Sequence, residues 1–153
     1  MNRIASFTVN HDLLDRGVYI SRIDGDAVTY DIRMKKPNGG DYISPKALHT
    51  IEHLLATYVR SSAHSDSIIY AGPMGCRTGF YLVARDGVAK AEIIGLLRET
   101  FQFIAEFQGE IPGSQKEECG NYLEHDLADA RREADEYLSV LETVTEYTMN
   151  YKE

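Results

Sequence analysis

The chain has 153 residues, 43% of them hydrophobic and 26% charged, with a formal net charge of −8. That length suits one compact domain with a sizeable core and is short for two. An acidic balance with scattered basic residues excludes the nucleic-acid backbone and an anionic membrane surface as general partners.

The opening MNRIASFTVNHD has no apolar core of the kind a secretory signal needs. No later run approaches the roughly 20 apolar residues of a membrane span. The expectation is therefore a cytoplasmic protein in which both cysteines, Cys76 and Cys119, are reduced rather than paired. Residues 17–23 and 27–35 read as two strands around the turn Asp24-Gly25-Asp26. In the second strand Val28, Tyr30, Ile32 and Met34 alternate with Thr29, Asp31, Arg33 and Lys35, which predicts one apolar and one polar face. KPNGGDYISP is a loop, and Ser44-Pro45 is a helix start, with a capping hydroxyl and a proline in the first turn.

That helix is predicted to run to about residue 61. Strands follow at 67–71 and 79–85 around the loop GPMGCRTG, then an amphipathic helix over 88–107. QGEIPGSQKEECGN is irregular, and a last helix is expected over 123–147. Antiparallel strands mixed with a few long helices predict an α+β layered sandwich, with residues 1–153 as one domain.

Chemistry concentrates in HTIEHLLATYVR, residues 49–60. At about 100° per residue, Leu48, Ile51, Leu54, Leu55, Tyr58 and Val59 form an apolar arc that packs on the sheet. His49, His53 and Arg60 share a neighbouring flank, with Glu52 at its border. Two imidazoles one turn apart can converge on one ion, about 2.0–2.1 Å from each nitrogen. Glu52 then reaches a ligand of the metal rather than the metal. Arg60 lies about 10 Å further along the axis than His53, placed for an anionic group on a bound molecule. The third ligand is either Cys119, in an irregular loop, or Cys76, in a glycine-flanked turn. Two imidazoles and one thiolate leave an open position, the catalytic rather than the closed structural arrangement.

The blocks SFTVNH, YDIRMKKPN, HTIEHLLATYVRS, GPMGCRTGFYL and ECGNYLEHDL, in this order, resemble the S-ribosylhomocysteine lyases, which make the precursor of autoinducer-2, a quorum-sensing signal. The resemblance spans residues 6–127. It implies a divalent metal on His49, His53 and Cys119, natively Fe(II), with zinc or cobalt as substitutes. It implies that Glu52 and Cys76 transfer protons, and that Ser6, His11 and Arg33 hold the ribose and the amino-acid end of S-ribosylhomocysteine. Arg60 corresponds to a further position near the substrate. It also implies a homodimer whose active sites lie at the subunit interface. Four positions depart from the family pattern. Asn10 stands where an aspartate is usual, Tyr70 where an acidic residue is common, Gly72 where serine is frequent, and Arg77 where glutamine often follows the cysteine.

The implied reaction cleaves a carbon–sulfur bond without water or an organic cofactor. A carbonyl moves along the ribose from C1 to C2 to C3, and thiolate then leaves by β-elimination to give homocysteine and 4,5-dihydroxy-2,3-pentanedione. A divalent Lewis acid stabilises the enediolates. Each shift takes a proton from one carbon and returns one to its neighbour, which suits a thiolate at Cys76, favoured by Arg77 or the metal, and a carboxylate at Glu52. Two other readings compete. An inverted HxxEH metallopeptidase would recruit a carboxylate as third ligand, and a non-catalytic zinc module would enlist both cysteines in a closed site.

Overall fold

A computed structural model describes residues 1–153. Strands β1 (Gly17–Asp24) and β2 (Ala27–Arg33) form a hairpin, closed at Gly25, whose φ of 61° favours glycine. Strands β3 (Ile68–Pro73) and β4 (Gly79–Arg85) complete an antiparallel sheet of order β1-β2-β4-β3. Three helices, α1 (Pro45–Arg60), α2 (Lys90–Glu106) and α3 (Leu127–Leu141), cover one face, and α1 packs against β3 and both other helices. A single cluster of 29 buried hydrophobic residues joins the layers, with Val28, Tyr30 and Ile32 from β2 meeting Ile51, Leu54, Leu55 and Val59 from α1. The layered α+β expectation holds.

Helix α1 starts where predicted because Ser44 Oγ accepts a hydrogen bond from the Ala47 amide at 3.2 Å and Pro45 opens the first turn. Ser44 also donates to Asp129 Oδ2 at 2.8 Å, tying the first turn of α1 to that of α3. The Ser44 hydroxyl first, then Arg132, hold the Asp129 carboxyl below the usual carboxylate range.

Helix α3 is shorter than expected at both ends. Asp126 caps it by accepting from the Asp129 amide, so residues 123–126 lie outside the helix. Beyond Leu141 the run Thr143-Val144-Thr145 is β-branched, a poor continuation of a helix. Helix α2 begins two residues later than predicted, at Lys90, and β3 runs two residues further, to Pro73.

The larger surprise is the second face of the sheet. Asp31, Arg33 and Lys35, expected on a polar face, are all buried. Terminal segments cover Asp31 and Arg33, since the Ile20 amide donates to the Met149 carbonyl at 2.8 Å and Tyr151 stacks on Tyr19 with centroids 5.2 Å apart, whereas Lys35 lies past the end of β2 against α3. The buried charges are paired, Arg33 with Asp31 at 2.7 Å and Lys35 with Glu133 at 2.7 Å. Burial without such pairing would be prohibitive.

Candidate metal centre and catalytic cleft

His49 and His53 leave α1 toward the loops that precede α3. His49 Nδ1 meets the Glu124 carbonyl at 2.7 Å, and His53 Nδ1 meets the Pro112 carbonyl at 2.8 Å. A carbonyl only accepts, so each Nδ1 carries the hydrogen and each Nε2 keeps its lone pair. Both free nitrogens face Cys119, whose sulfur lies 3.4 Å from His49 Nε2 and 4.0 Å from His53 Nε2. Tetrahedral ligation with ordinary zinc–nitrogen and zinc–sulfur bonds puts such donors about 3.6 Å apart. The donor set therefore fits a divalent ion. Cys119 is the thiol that joins the pair; Cys76 is not in the cluster. No carboxylate belongs to it either, as a peptidase's third ligand would, and within one chain Cys76 does not join Cys119 in a closed site.

Sequence reasoning missed a fourth member. His125 brings a ring nitrogen into the same group, in which all donor atoms lie within 4.8 Å of one another. Its Nδ1 pairs with Thr50 Oγ1 at 3.0 Å, and its Nε2 is buried with no hydrogen-bond partner. Burial, and then His49 and His53 alongside, hold its pKa down to about 4. The ring lies nearly parallel to His49, 22° between planes and 4.0 Å between centroids. Two rings stacked in this way cannot both aim in-plane lone pairs at one ion. His125 therefore backs His49 rather than sharing its coordination. The signal was present: the block ECGNYLEHDL holds a histidine six residues after Cys119, and buried Thr50 sits one position from His49 on α1. Replacing His125 with alanine is expected to weaken metal affinity about 10–100-fold, as loss of a supporting group does. A chelator competition measures this, and an unchanged affinity would count against the backing role.

Glu52 stands beside the cluster, its Oε1 4.0 Å from His53 Nε2. The other predicted residues gather elsewhere. Ser6, His11, Arg33 and Cys76 line one cleft of about 290 Å³ together with Met74, Tyr81 and Tyr151. None of the metal-cluster residues lines that cleft. Arg60 lies in neither place: it is exposed, and its Nη2 donates to the Ile69 carbonyl at 3.2 Å.

Residues 4–148 match the family model for S-ribosylhomocysteinase (LuxS). The chain belongs to this family. It is 49% identical to the S-ribosylhomocysteine lyase of Phocaeicola vulgatus over 157 residues, covering 99% of this chain and 98% of the relative. It is 46% identical to that of Clostridium acetobutylicum, with all of both chains covered. A third relative, the lyase of Porphyromonas gingivalis, is 46% identical with 99% of each covered.

The departures from the family pattern have local physical accounts. Tyr70 folds back across Gly72, and a Cβ on Gly72 would overlap the Tyr70 phenol. Tyrosine at 70 and glycine at 72 are thus one coupled packing change. Together with Ser6 and Tyr81, Tyr70 lines a second hollow of about 330 Å³. Asn10 accepts from the Asp12 amide at 3.0 Å and shapes the turn that carries His11. Arg77 is engaged on the side of Ile43 and Tyr42. Its guanidinium donates to the Ile43 carbonyl at 3.1 Å and lies 6.0 Å from the centre of the Tyr42 ring. The cation that reaches Cys76 is Arg33, through Thr78: Arg33 Nη1 to Thr78 Oγ1 is 2.7 Å, and Thr78 Oγ1 to Cys76 Sγ is 3.0 Å.

Proposed function

We infer that the chain is an S-ribosylhomocysteine lyase, which cleaves its substrate to homocysteine and the autoinducer-2 precursor. One observation carries this reading: His49, His53 and Cys119 converge with free lone pairs in a chain belonging to that family. The ion proposed for the site is Fe(II), with zinc or cobalt as substitutes. Bound there, a divalent ion supplies Lewis-acid stabilisation of charge developing on the sugar oxygens, worth several kcal/mol of barrier.

The remaining work falls to side chains. Cys76 Sγ takes and returns protons at the ribose carbons, and the Thr78 hydroxyl steadies its thiolate. Glu52 shuttles protons on the other side of the sugar. Ser6, His11 and Arg33 line the Cys76 cleft and hold ribose hydroxyls and the amino-acid end. Arg60 is assigned an outer contact. Both thiols are free, which suits a reducing, cytoplasmic setting. The test is release of homocysteine from S-ribosylhomocysteine by metal-replete protein, followed with a thiol reagent. Protein that holds metal and frees no thiol would end the reading.

The cleft and the cluster share no residues, which supports the homodimer: the Cys76 cleft of one protomer faces the histidine cluster of its partner. Mixing and re-equilibrating Cys76→Ala with His53→Ala protein should then rebuild one intact site in each mixed dimer. Activity should return to about a quarter of wild type, since half the dimers are mixed and each has one working site of two. If both groups act within one chain, the mixture stays dead.

A further inference from the structure

Five side chains on the second face of the sheet form a line of hydrogen bonds that ends at Cys76. Tyr151 donates its hydroxyl to Asp31 Oδ2 at 2.7 Å, and Arg33 Nη2 donates to the same oxygen at 2.7 Å. Arg33 Nη1 donates to Thr78 Oγ1 at 2.7 Å. Arginine has donors only, so Thr78 accepts there and its single hydrogen is left for a sulfur. Cys76 Sγ lies 3.0 Å away, and the competitor, Met74 Sδ, lies 3.8 Å away. A thiolate at Cys76 only accepts, so toward that form Thr78 is the donor.

Two atoms in this line are orphans. Asp31 Oδ1 and Arg33 Nε are buried and have no hydrogen-bond partner. A carboxylate and a guanidinium free to choose form two parallel bonds, and these two atoms are suited to be the second pair. Instead the contact is a single one, with Tyr151 bonded to Asp31 at one end and Thr78 to Arg33 at the other. The segment bearing Tyr151 is fixed independently, by the Met149 carbonyl on the Ile20 amide and by the ring stack on Tyr19.

We propose that Tyr151 is a positioning residue of the catalytic cleft: its hydroxyl keeps Asp31 turned so that Arg33 stays on Thr78 and Thr78 stays on Cys76. Without that hydroxyl, Asp31 rotates onto Arg33 Nε, closes the second bond and draws the guanidinium off Thr78. Cys76 then loses the donor that steadies its thiolate. The inference rests on Cys76 being the proton-transfer residue, but Cys76 reactivity can be read without substrate.

The experiment is the rate of Cys76 carbamidomethylation by iodoacetamide in full-length, metal-loaded protein, quantified by peptide mass spectrometry so that Cys119 is scored separately. Tyr151→Phe keeps the ring and its stack, and Thr78→Val keeps the volume. Each is expected to slow the reaction about tenfold, the usual effect of losing a hydrogen bond near a charged group. The double variant should be no slower than either single, because both changes break one line. Wild-type reactivity in Tyr151→Phe would overturn the proposal, as would a double variant slowed about a hundredfold, which marks independent effects. If wild-type protein frees no homocysteine while the alkylation deficit stands, the lyase assignment fails and the Tyr151 line survives. Normal homocysteine release by wild type with no alkylation deficit in either variant gives the reverse.

Discussion

Replacing His53 with alanine is expected to strip the metal from the protein and abolish thiol release. In the proposed site His53 supplies one of three direct donors, its ring held by the Pro112 carbonyl with Nε2 4.0 Å from the Cys119 sulfur. Losing even a supporting group around a metal typically costs 10–100-fold in affinity, so losing a direct ligand is expected to cost at least about 100-fold. Bound metal, counted by elemental analysis after gel filtration, should fall to a small fraction of one per subunit. Homocysteine release should fall with it. The His49 ring is fixed in the same way by Glu124, and His49→Ala should behave alike. Stoichiometric metal in either variant would mean that the ion sits elsewhere, and the site would have to be redrawn.

The second large effect separates chemistry from metal retention. Cys76→Ala and Glu52→Ala should each keep a full complement of metal and lose about 10²–10⁴-fold in turnover, the range that general acid–base groups contribute. With cobalt in the site, the visible spectrum of Cys76→Ala should match wild type, because only the Cys119 thiolate belongs to the cluster. A changed sulfur-to-cobalt band would place Cys76 on the ion. Turnover within a few-fold of wild type would remove Cys76 from the reaction.

Much of this was legible from the chain because its local signals agree with one another. Ser44-Pro45 announces α1, the period of its apolar residues sets which flank faces the sheet, and the two histidines fall beside that flank. The hairpin at Gly25 and the alternation along β2 are equally local. The ends of α3 were misjudged because capping by Asp126 and a β-branched tail outweigh the apolar spacing that continues past them. The burial of Asp31, Arg33 and Lys35 was not legible at all. For Asp31 and Arg33 it depends on terminal segments folding over the sheet, a contact across some 120 residues of sequence for Tyr151 and Asp31, and for Lys35 on Glu133 and Glu136 of α3. His125 was marked only by its place six residues after Cys119; its part in the site comes from a ring stack and from Thr50, contacts made only in the fold. Arg33 lines the cleft together with Cys76, and its link to that residue through Thr78 appears only in three dimensions.

Both extremities of the polypeptide converge on the same side of the sheet, with Ser6 and Phe7 on one wall of the cleft and Tyr151 on another. A purification handle fused at either terminus therefore emerges next to the reacting groups instead of trailing harmlessly into solvent. Protein for kinetics or immobilisation is better tagged in a surface turn at the other end of the sheet, such as Asp86-Gly87, and any fusion at the ends should be cleaved before rates are compared.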